Sequence, residues 1–196
     1  MPSIIKTFMG LLLLSLWGCS GQSLLSTAVS PVSPETYPAA VSADSYLLLP
    51  PADMPATMLL KQRVTLSIKG QQRQFLVISK FSTERIVLVA LLPTGQKLFT
   101  LDYDGIELKQ ESLSPVEIPT RDILAIMQFA LWPEISVRQY YARSTGWITL
   151  FSDNQRELRR ASGSLLKISY HPQGLSVDNF QHGYQVEIST LEKVDL

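Results

Sequence analysis

Two histidines, His171 and His182, fall in segments rich in turn residues, with Asp178 between them. They would make a metal or acid–base cluster if the intervening strands bring the turns together, although a turn histidine is more commonly just solvated. Asp102 and Asp104 flank Tyr103 as paired carboxylates would. The same residues also read as a hairpin turn, with Asp104 bonding its own backbone and Asp102 facing solvent. Arg156, Arg159 and Arg160 form a small basic cluster that would suit an anionic headgroup or the wet face of a strand. There is no G-x-S-x-G elbow, no G-x-x-x-x-G-K loop, no C-x-x-C and no H-E-x-x-H pair. The expectation is therefore a protein that is not an enzyme, with no catalytic residue, no metal site and no cofactor. The most definite chemistry belongs to Cys19, the only cysteine.

Cys19 follows Lys6 and an apolar run from Phe8 to Trp17 that is broken by Gly18. This has the form of an export signal and is too short to span a bilayer, which takes roughly 20 apolar residues. Leu16-Trp17-Gly18-Cys19 resembles the bacterial lipobox, in which a leucine and a small residue direct thioether lipidation of the cysteine that follows. The resemblance implies a signal peptide over residues 1–18 and acyl chains on Cys19. Ser20, where inner-membrane lipoproteins carry Asp, implies the periplasmic face of the bacterial outer membrane. A lone cysteine forms no intramolecular disulfide, so a packed core must hold the domain.

The formal net charge is zero, and removing residues 1–18 takes away Lys6 and no carboxylate, which leaves about −1. That balance argues against nucleic acid as a partner, since phosphate backbones are bound by basic patches. Residues 19–45 are poor in charge and rich in Ser, Thr, Ala and Pro, the composition of a flexible tether. Residues 46–196 are then a single domain.

From Leu60 the pattern alternates with period two. Gln62, Val64, Leu66 and Ile68 are expected to share a face, then Phe75, Val77, Ser79 and Phe81 beyond the turn at Gly70. Arg85 to Leu92 is apolar on both faces. Phe99, Leu101 and Tyr103 align after the Pro93-Thr94-Gly95 turn, and Ile106 and Leu108 are expected inward after Asp104-Gly105. Pro119, Thr120 as cap and Asp122 predict a helix over 123–132 that is apolar nearly all round, ended by Pro133. A further short turn follows, then five strands near 145–151, 156–160, 165–170, 175–180 and 184–191. The expected fold is mainly β with an α lid, a curved antiparallel sheet or incomplete β-barrel of about ten to eleven strands closed by an apolar helix. Either the sheet folds over a thick core, or its concave side is partly empty.

Leu48-Leu49-Pro50-Pro51, Gln62 with Val64-Thr65, Leu91-Leu92-Pro93-Thr94-Gly95-Gln96, Tyr103-Asp104-Gly105, and Asn179-Phe180 to Gly183-Tyr184 resemble, in that order, the DUF3261 family of bacterial lipoproteins. That family is similar in turn to the lipoprotein receptor LolB and the carrier LolA. The resemblance implies an incomplete barrel with an acyl-chain cavity, a lipid or lipoprotein cargo, a periplasmic carrier as partner and, among cargoes, a lipid-linked aryl polyene. On it, Phe75, Val77, Val87, Val89, Phe99 and Leu101 of the sheet and Ile123, Met127 and Trp132 of the helix are the expected ligand-binding residues. Leu91 and Leu92 are the expected membrane contact. The alternative is a structural or assembly factor at the outer membrane with a filled core. An acyl-handling enzyme using His171 or His182 is a third reading.

Overall fold

The computed structural model describes residues 35–38, 45–113 and 119–196. The expected signal peptide, Cys19 and most of the expected tether lie outside the described residues. Among the described residues eleven strands form one antiparallel sheet. The first five after a short leading strand β1 (Glu35–Pro38) run as a meander: β2 (Met58–Ile68), β3 (Gln71–Phe81), β4 (Ile86–Leu91), β5 (Lys97–Tyr103) and β6 (Glu107–Ser112). Two helices follow, α1 (Thr120–Leu131) and α2 (Glu134–Ala142). A second meander completes the chain: β7 (Ile148–Ser152), β8 (Gln155–Arg160), β9 (Gly163–His171), β10 (Gly174–Asn179) and β11 (Tyr184–Asp195).

The spatial order is β1-β6-β5-β4-β3-β2-β11-β10-β9-β8-β7. The meanders meet where β2 pairs β11, from Ile68 opposite Tyr184 to Met58 opposite Asp195, with a bulge near Thr190. β1 and β7 are the outer strands, so the sheet is curved but not closed. Glu35–Pro38, within the expected tether, pair with β6, from Glu35 opposite Gln110 to Pro38 opposite Glu107.

This order dictates the lid. The chain leaves the first meander at β6, near one side of the sheet, and re-enters at β7 on the other, so the connection must cross a face. α1 is that crossing. It buries Leu124 through Ala130 against the inward residues of both meanders, among them Phe81, Leu88, Leu101, Leu166 and Ile168. A helix apolar on nearly every side suits a place between a sheet and further chain. The described residues form one compact unit with its own core.

Local chemistry explains the departures from expectation. Asp104 Oδ1 accepts the amide N–H groups of Ile106 (2.9 Å) and Glu107 (2.7 Å), so the turn extends through Ile106 and the β5–β6 ladder begins with Tyr103 opposite Leu108. Leu108 is therefore buried, whereas Ile106, expected inward, is 81% exposed. Thr120 is the first helical residue rather than the cap; Pro119 occupies the cap, and the Thr120 hydroxyl donates to the Gln110 side chain. The short turn expected after Pro133 is a second helix, with Glu134 and Arg138 paired one turn apart at 2.6 Å.

Gly174 opens β10 at φ +156°, and a Cβ there would lie 1.8 Å from the Ile188 carbonyl oxygen. Gly174→Ala should lower unfolding stability by at least about 2 kcal/mol. Gly95→Ala, left-handed but in open space, should lose only about 1–2 kcal/mol. Urea denaturation midpoints of the two variants check the contrast.

Candidate functional site

The segment 45–54, which enters the domain, is a largely buried strap. Tyr46, Leu48, Leu49 and Met54 are all buried. The strap pairs with no neighbouring strand, so side chains of the helices satisfy its backbone. Gln128, fully buried in α1, accepts the Leu49 N–H at 2.9 Å through Oε1 and donates to the Leu49 carbonyl at 2.6 Å through Nε2. The Leu47 N–H donates to the Tyr141 hydroxyl, Arg121 donates to the Tyr46 carbonyl, and Trp132 Nε1 donates to the Pro50 carbonyl. Gln128 and Tyr141 escaped the sequence reading because one glutamine in an apolar helix has no period of its own.

Arg156 closes the other end of the lid. Its guanidinium donates at 2.7 Å to the carbonyls of both Phe129 and Trp132, the free acceptors at the end of α1. It also lies over the rings of Phe151 and Tyr170. The basic cluster is thus dispersed: Arg156 caps the lid, Arg159 meets Glu157 at 3.5 Å and Arg160 lies over Trp147 at 4.2 Å.

The half of the concave face beneath α1 is sealed. A hollow wide enough for water would leave accessible surface on its walls, yet Phe81, Leu88, Leu101, Leu124, Phe129 and Trp132 are 0% exposed. Of the expected ligand-binding residues, Val77, Phe99, Leu101, Met127 and Trp132 belong to this packed region; Trp132 meets Phe81 edge-on at 5.7 Å. Ile123 is half-buried at its margin. Val87 and Val89 are not on this face. They pair with Asp102 and Thr100, while Ile86, Leu88 and Ala90 face Tyr103, Leu101 and Phe99 inside. A strand apolar on both sides carries no internal sign of which alternate set points inward.

The other half is open. Val64, Leu66 and Ile68 of β2 share a face with Ile188, Val186 and Tyr184 directly across on β11, and Phe75 lies opposite Val64. All seven are half-buried. The β2–β3 hairpin projects beyond β4, which ends with Leu91 opposite Leu76. Leu91 and Leu92 are consequently half-buried beside the middle of β3, and the exposed turn is Pro93 to Gln96. Where the β2–β3 and β10–β11 turns meet, a surface cleft of about 430 Å³ is lined by Ser67, Lys69, Asn179, Phe180 and Tyr184 among others, with Phe180 56% exposed.

The two histidines do not meet in a shared cluster. His171 faces Glu187 at 3.7 Å; His182 pairs with Asp122 of α1 at 3.1 Å and stacks on Tyr184; Asp178 accepts from Gln185. Among the described residues no group of three or more metal-capable side chains occurs. The His182 backbone N–H and the Tyr46 hydroxyl both donate to Asn179 Oδ1. Burial pushes the Tyr184 phenol up to about 12 and those of Tyr46 and Tyr141 higher still, so all three stay protonated as hydrogen-bonding groups. Asp122–His182 thus ties the start of the lid to the turn that borders the open strip.

The family model described as "Protein of unknown function (DUF3261)" matches residues 59–192. The chain belongs to the DUF3261 family. The matched span runs through both DUF3261 meanders, the lid helices and the whole open strip, while the strap at 45–54 precedes it. No curated protein matches the chain. No helix among the described residues is long and apolar enough to cross a membrane.

Asp104 and Asp102, the adjacent carboxylates, are held apart: Asp102 faces Arg85 at 3.3 Å, and the amides of Glu107 and Ile106 hold the Asp104 carboxyl below its ordinary range. The stability gained from ionised Asp104 is full above the unfolded pKa of about 3.9 and is lost as pH falls through the lower folded value. Asp104→Asn should therefore flatten the acid side of a Tm-against-pH profile. Gln128→Leu leaves the buried Leu49 N–H and carbonyl unpaired, and should cost about 2–6 kcal/mol, at about 1–3 kcal/mol for each group. Chemical denaturation monitored by tryptophan fluorescence checks it.

Proposed function

We propose that this DUF3261 protein is a non-catalytic lipid-binding lipoprotein, anchored through acylated Cys19 at the periplasmic face of the bacterial outer membrane. It binds or hands on acylated or lipid-like cargo received from a periplasmic carrier. The observation that carries this reading is the open apolar strip beside a helical lid, on a sheet that curves without closing. The likeness of the DUF3261 family to the lipoprotein receptor LolB and the carrier LolA supports it, and an aryl polyene lipid is the cargo that the resemblance to DUF3261 suggests. Apolar surface gains about 25 cal/mol per Å² when covered, so an alkyl chain along the strip is a sufficient ligand without a polar pocket.

The packed seam under α1 favours a second reading, an assembly factor with a solid core that works through its surface. Mass spectrometry of lipid co-purified with the soluble chain from residue 20 onward, with displacement of a fluorescent fatty acid, separates the two. Bound lipid and a displaceable probe are expected, both lost in Val186→Asp with the fold retained by circular dichroism. A protein that carries no lipid and takes up no probe leaves only the second reading. For the anchor, Cys19→Ser is expected to abolish radiolabelling by palmitate and release the protein from the membrane fraction; unchanged labelling would rule out Cys19 as the attachment site.

A further inference from the structure

Two cations, Lys69 and Arg73, stand at the end of the open strip. In the β2–β3 ladder Arg73 lies opposite Leu66, on the apolar face of the hairpin, at a position corresponding to those that Val77 and Phe81 fill farther along β3. It is exposed. Lys69 adjoins Ile68 at the turn and lines the terminal cleft together with Phe180, Tyr184 and Asp178, whose carboxylate accepts from Gln185. Among the described residues neither cation has a carboxylate within ion-pair distance. Their neighbours Gln71, Gln72 and Gln74 are neutral.

The backbone at Lys69 adds a second observation. Lys69 has φ +49° and Gly70 has φ +75°, and Lys69 is the only non-glycine residue with positive φ among those described. A two-residue hairpin turn with both φ values positive is ordinarily built from Asn, Asp or Gly, which tolerate this conformation better than a long side chain does. A lysine is held here against its conformational preference, at the mouth of an apolar strip.

We propose that the strip takes a single-chain amphiphile with an anionic headgroup, the alkyl chain lying along Val64, Leu66, Ile68 and Val186 and the headgroup meeting Lys69 and Arg73. This rests on the lipid-binding reading above and adds the class of headgroup. The Arg73 guanidinium offers paired N–H donors that match a phosphate or carboxylate, and the Lys69 ammonium supplies a second charge-assisted bond. The headgroup end is exposed, so its contribution weakens as salt rises while the alkyl contribution does not.

The test is calorimetric titration of the soluble chain from residue 20 onward with decyl phosphate, decyl maltoside and decyltrimethylammonium, all below micelle formation. Decyl phosphate is expected to bind at least about tenfold more tightly than the maltoside, the gain from a pair of charge-assisted contacts, and the cationic amphiphile most weakly. Lys69→Gln with Arg73→Gln is expected to erase that advantage and leave maltoside binding unchanged. Lys69→Gly is expected to raise the thermal midpoint while weakening decyl phosphate, a combination that a purely structural lysine would not give. Equal affinity for the phosphate and the maltoside overturns the headgroup assignment and leaves the lipid reading standing. A phosphate advantage that survives the double substitution overturns the assignment to Lys69 and Arg73. Failure of all three probes overturns the lipid reading and this inference with it.

Discussion

A chain that leaves a sheet near one side and must rejoin it at the other has to cross a face, and in this protein the rest of the structure follows from that constraint. The crossing segment becomes the lid, its residues become the second wall of the core, and its length limits how much of the concave face can be covered. What it covers is packed solid, from Leu88 and Leu101 on the sheet to Phe129 and Trp132 on the helix. What it does not reach is the apolar end of β2, β3 and β11. The same connection therefore produces both the core and the exposed strip.

The lid is held by polar groups at three places rather than by apolar contact alone. Asp122 and His182 tie its first turn to the β10–β11 turn, Gln128 clamps its middle to the strap at Leu49, and Arg156 takes the carbonyls at its end. These are unequal in kind. The Gln128 bonds are buried, and losing them strands two backbone groups away from water. The Asp122–His182 pair is near the surface and contributes modestly.

Residue patterns reveal the strands and α1 because alternation and helical period are local properties. The Asp104-Gly105 turn, the Pro133 stop and the alternating face of β2 are legible in this way. Cross-chain matters are not. Which set of β4 residues points inward depends on the register with β5, and nothing between Arg85 and Leu92 records it. Arg156 reads as a surface charge until the end of α1, far off in sequence, is placed against it. The burial of the strap has no local sign, because its backbone partners are side chains on elements some eighty residues later. The candidate strip was half legible: Phe75 and the β2 alternation are visible in the sequence, whereas the contribution of β11 rests on a pairing between distant strands.

That pairing has a consequence for how the domain forms. Each meander can assemble from neighbouring hairpins, with short loops and little entropy lost on closure. The β2–β11 ladder joins residues as far apart as Met58 and Asp195, and ordering so long an intervening chain is costly until the contacts that reward it exist. The two meanders are accordingly expected to form early and the central ladder late, with β2 and β11 exposing unpaired edges in the interval. Those strands also carry much of the open strip, so the surface offered to cargo in the folded protein is among the last to be completed.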